Sequence, residues 1–108
     1  VVTAPLLSST RGLISREVLL AMKENAVLVN IARGGLIDEQ AMCEVLAERK
    51  DLFAALDVFE VEPLAEGSSL WKLENVAVSP HNSFVSDGNN ERMFNVMHTN
   101  LKNFISKK

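Results

Sequence analysis

Cysteine is nearly missing from this 108-residue chain. Cys43 stands alone, so no intrachain disulfide can form, and the chain fits a reducing compartment. Neither sign of charge dominates. The formal net charge is −3 at pH 7, and the Lys and Arg residues are scattered, so no nucleic-acid partner is expected. Every apolar run is too short to span a bilayer and no charged-then-apolar leader opens the sequence, so we expect no membrane partner and a cytoplasmic location. Low-complexity segments and short-period repeats are absent as well. A polar lead-in is also missing: Val1 lies already inside an apolar run, which leads us to expect a piece of a longer protein. What remains is a globular composition, 47% hydrophobic and 23% charged, sufficient for one modest core.

The apolar spacing alternates between strand and helix. Residues 1–4 form a short apolar run that Pro5 halts, and residues 6–12 are loop-like. Ser15 is a candidate N-cap for a helix with Val18, Leu19 and Met22 on one face, ending near Lys23, with Asn25 suited to the left-handed conformation after it. A buried strand is predicted over residues 27–32, broken by Arg33, Gly34 and Gly35. Asp38 then caps a second helix, in which Ala41, Met42, Val45 and Leu46 recur at helical spacing. Residues 53–59 read as a third strand and residues 76–79, stopped by Pro80, as a fourth. From about Asp87 a last helix carries a stripe of Met93, Met97, Leu101 and Phe104. This order predicts an α/β fold with a parallel sheet and flanking helices. Continuous apolar strands are expected where both faces of a sheet are covered.

In open α/β sheets, ligands bind beyond the carboxyl ends of the strands. Those ends carry Ala4 and Pro5, then Arg33 with two glycines, then Asp57 followed by Glu60 and Glu62, then His81, Asn82 and Ser83. Each has a plain structural reading. Arg33 fits a solvated surface cation, the glycines a turn, Asp57 a strand-end residue bonded to nearby backbone, Glu62 a loop carboxylate and His81 a structural imidazole. Met93 and Met97 fit packing, Cys43 core packing, and His98 a partly buried or subunit-contact position. Leu70 and Trp71 are expected to pin the loop before the fourth strand. Gathered at successive strand ends, the arginine, the carboxylates and the histidine favour anion binding with acid–base chemistry.

The stretches APLLSSTRGLI, VLVNIARGGLIDEQA, AALDVFEVEPL and NVAVSPHNS occur in that order. They resemble the signature segments of the D-isomer-specific 2-hydroxyacid dehydrogenases, which include phosphoglycerate, glycerate and lactate dehydrogenases. The resemblance covers essentially the whole chain and is least diagnostic over the last helix. It implies a Rossmann-type sheet, NAD as cofactor with NADP left open, and a small 2-oxo or 2-hydroxy acid as substrate. It also implies the catalytic set Arg33, Glu62 and His81. Arg33 would hold the carboxylate and carbonyl of the oxo acid, His81 would exchange the proton, and Glu62 would pair with His81. Formate dehydrogenases resemble the same pattern but usually carry Gln where Glu62 stands. Cofactor contacts are implied at Ala4, Pro5, Ile31, Ala32, Arg33, Asp57, His81, Ser83 and Phe84. Asp57 would meet the nicotinamide side, Ile31, Ala32, Ser83 and Phe84 would line that end, and Ala4 and Pro5 would lie beside the dinucleotide. No metal ligand is implied.

The Gly-rich G-x-G-x-x-G turn of such domains does not occur in the sequence, nor does the acidic residue that reads the adenosine ribose. The expected organisation is therefore residues 1–108 as part of an NAD-binding domain, its second half. Residues 86–108 would form the helix leading back toward a substrate domain. As it stands the chain is expected to be catalytically silent, a poor cofactor binder and prone to self-association, and the parent protein a homo-oligomer. A rival reading stays open. Some relatives are nucleotide-regulated corepressors that retain the same residues, which would make the protein an interaction module.

Overall fold

The computed structural model describes residues 1–106. Three parallel strands, β1 (Val27–Asn30), β2 (Phe53–Leu56) and β3 (Val76–Val78), lie side by side in chain order. Val27 aligns with Phe53, and Leu56 in turn with Val78, so the strands end together along one edge. The connections are α2 (Glu39–Glu48) between β1 and β2 and a loop with a short 3-10 turn at Ser69–Lys72 between β2 and β3. The helix α1 (Arg16–Leu20) precedes β1 and packs on α2. The long helix α3 (Asn89–Ser106) follows β3.

Several predicted elements are shorter in the structure, each for a visible reason. Residues 1–4 make no regular strand. Val2 forms a single parallel bridge to Asn30, its amide donating to the Val29 carbonyl at 2.7 Å, and Pro5 follows three residues later with its fixed φ and no N–H. The strand predicted over 27–32 stops at Asn30, because the Asn30 side chain accepts from the Ala32 amide (3.1 Å) and donates to the Arg33 carbonyl (3.0 Å), curling the chain out of the sheet. The strand predicted over 53–59 stops at Leu56, although Asp57, Val58 and Phe59 remain buried. Ser15 flanks α1 without capping it; its hydroxyl bonds the Glu17 carboxylate, and α1 ends at Leu20 with Asn25 at φ +59°. Of the predicted apolar face, Leu19 is buried and Met22, just past the end of α1, packs partly buried against the core, whereas Val18 is exposed. The last helix starts at Asn89, and the final two residues of the predicted 86–108 segment lie outside the described residues.

The second helix matches its prediction closely. The Asp38 carboxylate accepts from the Ala41 amide at 3.0 Å, and Ala41, Met42, Val45 and Leu46 are all buried. At its other end the amide nitrogen of buried Asn75 reaches the carbonyl of Leu46 (3.0 Å), an acceptor that the helix terminus leaves open, and that of Leu52 (2.8 Å) just before β2. Of the α2 residues, Met42, Val45 and Leu46 join Leu28, Ala54 and Leu56 in one core cluster with Leu19, Leu36 and Leu70.

The described residues cover one face of the sheet only. β1 and β2 alternate, with Leu28, Asn30, Ala54 and Leu56 buried while Val27 and Phe53 are 56% and 45% exposed. The apolar residues on the second face are there, as the sequence indicated, but no described element lies over them. The α3 helix has no buried residue, and the molecule measures 60 × 29 × 26 Å. Its His98, expected to be partly buried or at a subunit contact, is exposed in the single chain and stacks on Phe94 with ring centroids 5.8 Å apart.

Candidate active site

The edge where the strands end gathers the chemistry. Beyond β1 the chain turns at Arg33, whose guanidinium is exposed and donates one bond to the Ala32 carbonyl at 2.6 Å. A 3-10 turn at Gly34–Leu36 then lies directly on the chain leaving β2. A Cβ on Gly34 would fall 1.9 Å from the carbonyl carbon of Phe59, so only glycine permits this approach. The contact sets Arg33 beside the segment that carries Glu60 and Glu62.

One Glu62 carboxylate oxygen accepts from the Phe59 amide at 3.0 Å, and the other lies 2.7 Å from His81 Nδ1. His81 first and the Phe59 amide second hold the Glu62 carboxyl below the ordinary glutamate range. The Glu62 and His81 side chains are about one-third and two-fifths exposed, open to a ligand from solvent. Asp57, by contrast, is buried. Its carboxylate accepts from the Ser79 hydroxyl and from the Asn82 and Ser83 amides. Burial alone would raise its carboxyl, yet these donors outweigh burial and hold it far below the ordinary carboxylate range.

Three recesses meet along this edge. One of about 360 Å³ is bounded by Arg11, Arg33, Glu60, Glu62 and His81, so the three residues expected to be catalytic share it. A second, of about 620 Å³, has walls from Ala4, Pro5, Ile31, Ala32 and Arg33, five of the residues expected to meet the cofactor. A third, apolar and about 570 Å³, lies on the other side of the Glu62–His81 pair, under Leu64, Trp71 and Val78. Arg33 therefore stands between the second recess and the acid–base pair. Phe84 lies exposed beyond His81 and borders none of the three. Asp57 and Ser83 are joined to one another. Leu70 pins its loop as expected, being 1% exposed, whereas Trp71 stays exposed and donates to the Ala65 carbonyl at 3.0 Å. Cys43 is partly buried against the core, and burial raises its thiol, which suits packing.

Two residues at this edge escaped the sequence reading. Arg11 reaches the first recess because the Gly12 amide binds the Gly35 carbonyl and Ile14 bridges to Ile37, folding the loop back over the two glycines. Ser79 reaches Asp57 through the register of β2 on β3. An arginine in a loop and a serine before a proline carry no local signal for either placement.

A parallel sheet with helical connections and its polar side chains gathered at the carboxyl ends of the strands is the architecture of an α/β protein of the Rossmann type. The family described as D-isomer specific 2-hydroxyacid dehydrogenase, NAD binding domain, matches residues 1–83, and the chain belongs to it. It is 53% identical over 77 residues to D-3-phosphoglycerate dehydrogenase of Methanocaldococcus jannaschii, covering 71% of this chain and 14% of that protein. Among solved structures it is similar to a D-isomer specific 2-hydroxyacid dehydrogenase of Xanthobacter autotrophicus Py2 in complex with NADPH and MES. That match has a TM-score of 0.68 and 45% identity over 73% of this chain and 25% of the other. A second match is the NAD-complexed enzyme of the same description from Lactobacillus delbrueckii ssp. bulgaricus, with a TM-score of 0.79 and 26% identity over 96% and 35%. The chain thus spans between 14% and 35% of the length of these relatives.

Proposed function

We propose that this chain forms the proton-transfer and anion-binding edge of an oxidoreductase that moves a hydride between a nicotinamide cofactor and a 2-hydroxy or 2-oxo acid. The observation that carries the reading is the 2.7 Å contact between Glu62 and His81 Nδ1 in a recess shared with Arg33. With Nδ1 engaged by the carboxylate, Nε2 is the ring nitrogen left to exchange a proton with substrate. It would protonate the alkoxide formed on reduction and take the proton back in the oxidative direction. Arg33 presents a planar fork that matches the carboxylate and carbonyl oxygens of a 2-oxo acid. The recess bounded by Ala4, Pro5, Ile31 and Ala32 suits the cofactor, because it opens beside Arg33 on the same strand-end edge. When bound there, the cofactor supplies or accepts the hydride. In this reading NAD is the cofactor, NADP stays open, and residues 1–108 are part of a larger NAD-binding domain whose Gly-rich turn lies elsewhere.

The exposed apolar side chains of Met93, Met97 and Leu101 on α3 favour a second role alongside the first, contact with another domain or subunit. Both the substrate-domain connection and a homo-oligomeric parent belong to this proposal, as does the corepressor-like interaction module.

The test uses the protein that carries this chain, NADH and a panel of small 2-oxo acids. Arg33→Lys should lower kcat/KM about 10- to 100-fold, because an ammonium replaces only part of a charge-assisted bond worth about 1.5–3 kcal/mol. Near-normal activity of Arg33→Lys on every acid turned over by the wild type would remove Arg33 from the site. No turnover of any acid by the wild type would favour the interaction role.

A further inference from the structure

His81 sits on a segment with little of its own to hold it. Residues 80–88 are all exposed, and His81 adopts φ +51°, a left-handed conformation that a residue with a Cβ rarely takes unsupported. The supports flank it on both sides in sequence. Two residues before it, the Ser79 hydroxyl donates to Asp57 Oδ1 at 2.5 Å. One and two residues after it, the Asn82 amide donates to Oδ1 and the Ser83 amide to Oδ2, both at 3.0 Å. The carboxylate that collects these donors is itself fixed. Asp57 is 3% exposed and follows β2 directly, its amide bonded to the Asn30 carbonyl at 3.0 Å. Ser79 is fixed likewise, through its amide on the Leu56 carbonyl at 2.9 Å.

We propose that Asp57 and Ser79 are positioning residues: a buried carboxylate, oriented by the Ser79 hydroxyl, clamps the backbone on both sides of His81 and so aims its Nδ1 at Glu62. The purpose of the clamp rests on reading His81 as the proton-transfer residue, whereas its existence does not. The hydroxyl has a specific part. Without it Oδ1 would lose its shortest donor, in a buried position where a carboxylate needs its full set of donors. The same donors keep Asp57 ionised, so the clamp does not open across the neutral range. Both carboxylate oxygens are engaged by the His81 loop, which gives Asp57 a task separate from any contact with the cofactor.

Neither cofactor nor turnover is needed for the test, so an inactive parent protein would sink the reading of His81 while leaving this result standing. In the chain itself, Ser79→Ala and Ser79→Thr are compared by NMR, with His98 on α3 as internal reference. The Glu62 carboxyl, followed by ¹³C titration, should have its midpoint below 4.5 in the wild type, and so should Ser79→Thr. In Ser79→Ala it should move up toward 4.5 as His81 drifts from the carboxylate. Amide exchange at Asn82 and Ser83 should accelerate by about tenfold or more in Ser79→Ala alone, as expected when a held segment opens locally. A folded Ser79→Ala with wild-type titration and exchange would overturn the proposal, and so would a Ser79→Thr that behaves like Ala. Should Ser79→Ala fail to fold, the wild type decides. Protected Asn82 and Ser83 amides support the clamp, and amides that exchange as freely as those of the exposed loop beyond them refute it.

Discussion

Two helices in this molecule carry the same kind of apolar stripe and meet opposite fates. In α2 the stripe of Ala41, Met42, Val45 and Leu46 is between 0% and 7% exposed. In α3 the stripe of Met93, Met97, Leu101 and Phe104 is between 56% and 63% exposed. Helical periodicity shows which face seeks cover and says nothing about what supplies it. The sheet teaches the same lesson, since its strands are apolar toward both faces and the described residues cover one.

The comparison can be broken by truncating each stripe in this chain and measuring urea unfolding. Leu46→Ala removes a fully buried side chain from the core and should cost about 2–5 kcal/mol, enough to unfold much of a marginally stable domain. Asn75→Ala should cost less, about 1–3 kcal/mol, by freeing the carbonyls of Leu46 in the last turn of α2 and of Leu52 just before β2. Leu101→Ala should have the smallest effect, within about 0.5 kcal/mol, because its side chain already meets solvent. A Leu101→Ala cost approaching that of Leu46→Ala would show that the α3 stripe is covered in solution and that the contrast between the helices is wrong.

How much the sequence disclosed follows from the range of the forces involved. Asp38, three residues before the amide it caps, and the four residues of the α2 stripe are local signals, and both were legible. The positive φ of Asn25 was legible for the same reason. Strand lengths were not, because Asn30 ends β1 with a side chain that competes for backbone partners, and residue type alone does not reveal that competition. The residues 1–4 looked like any apolar strand, yet pairing needs a neighbour in register, and only Val2 finds one. At the candidate site the strand-end rule located Arg33, Glu62 and His81 on a common edge, but it could not bring Arg11 to the recess or Ser79 to Asp57. Those two depend on a loop folding back onto Gly35 and on the register between β2 and β3, which are long-range facts. Gly34 is intermediate. A glycine pair announces a turn, while the need for glycine against the Phe59 carbonyl emerges only from the packed chains.

The central claim is that His81, oriented by Glu62 and placed beside Arg33, exchanges the proton of a 2-oxo acid reduction. Steady-state reduction of a 2-oxo acid by the whole protein, wild type against His81→Asn, tests it most directly. The account predicts that kcat falls about 10²- to 10⁴-fold with little change in KM, because Asn keeps a polar side chain in place but cannot deliver the proton. A His81→Asn enzyme that retained kcat within a few-fold of wild type would contradict it.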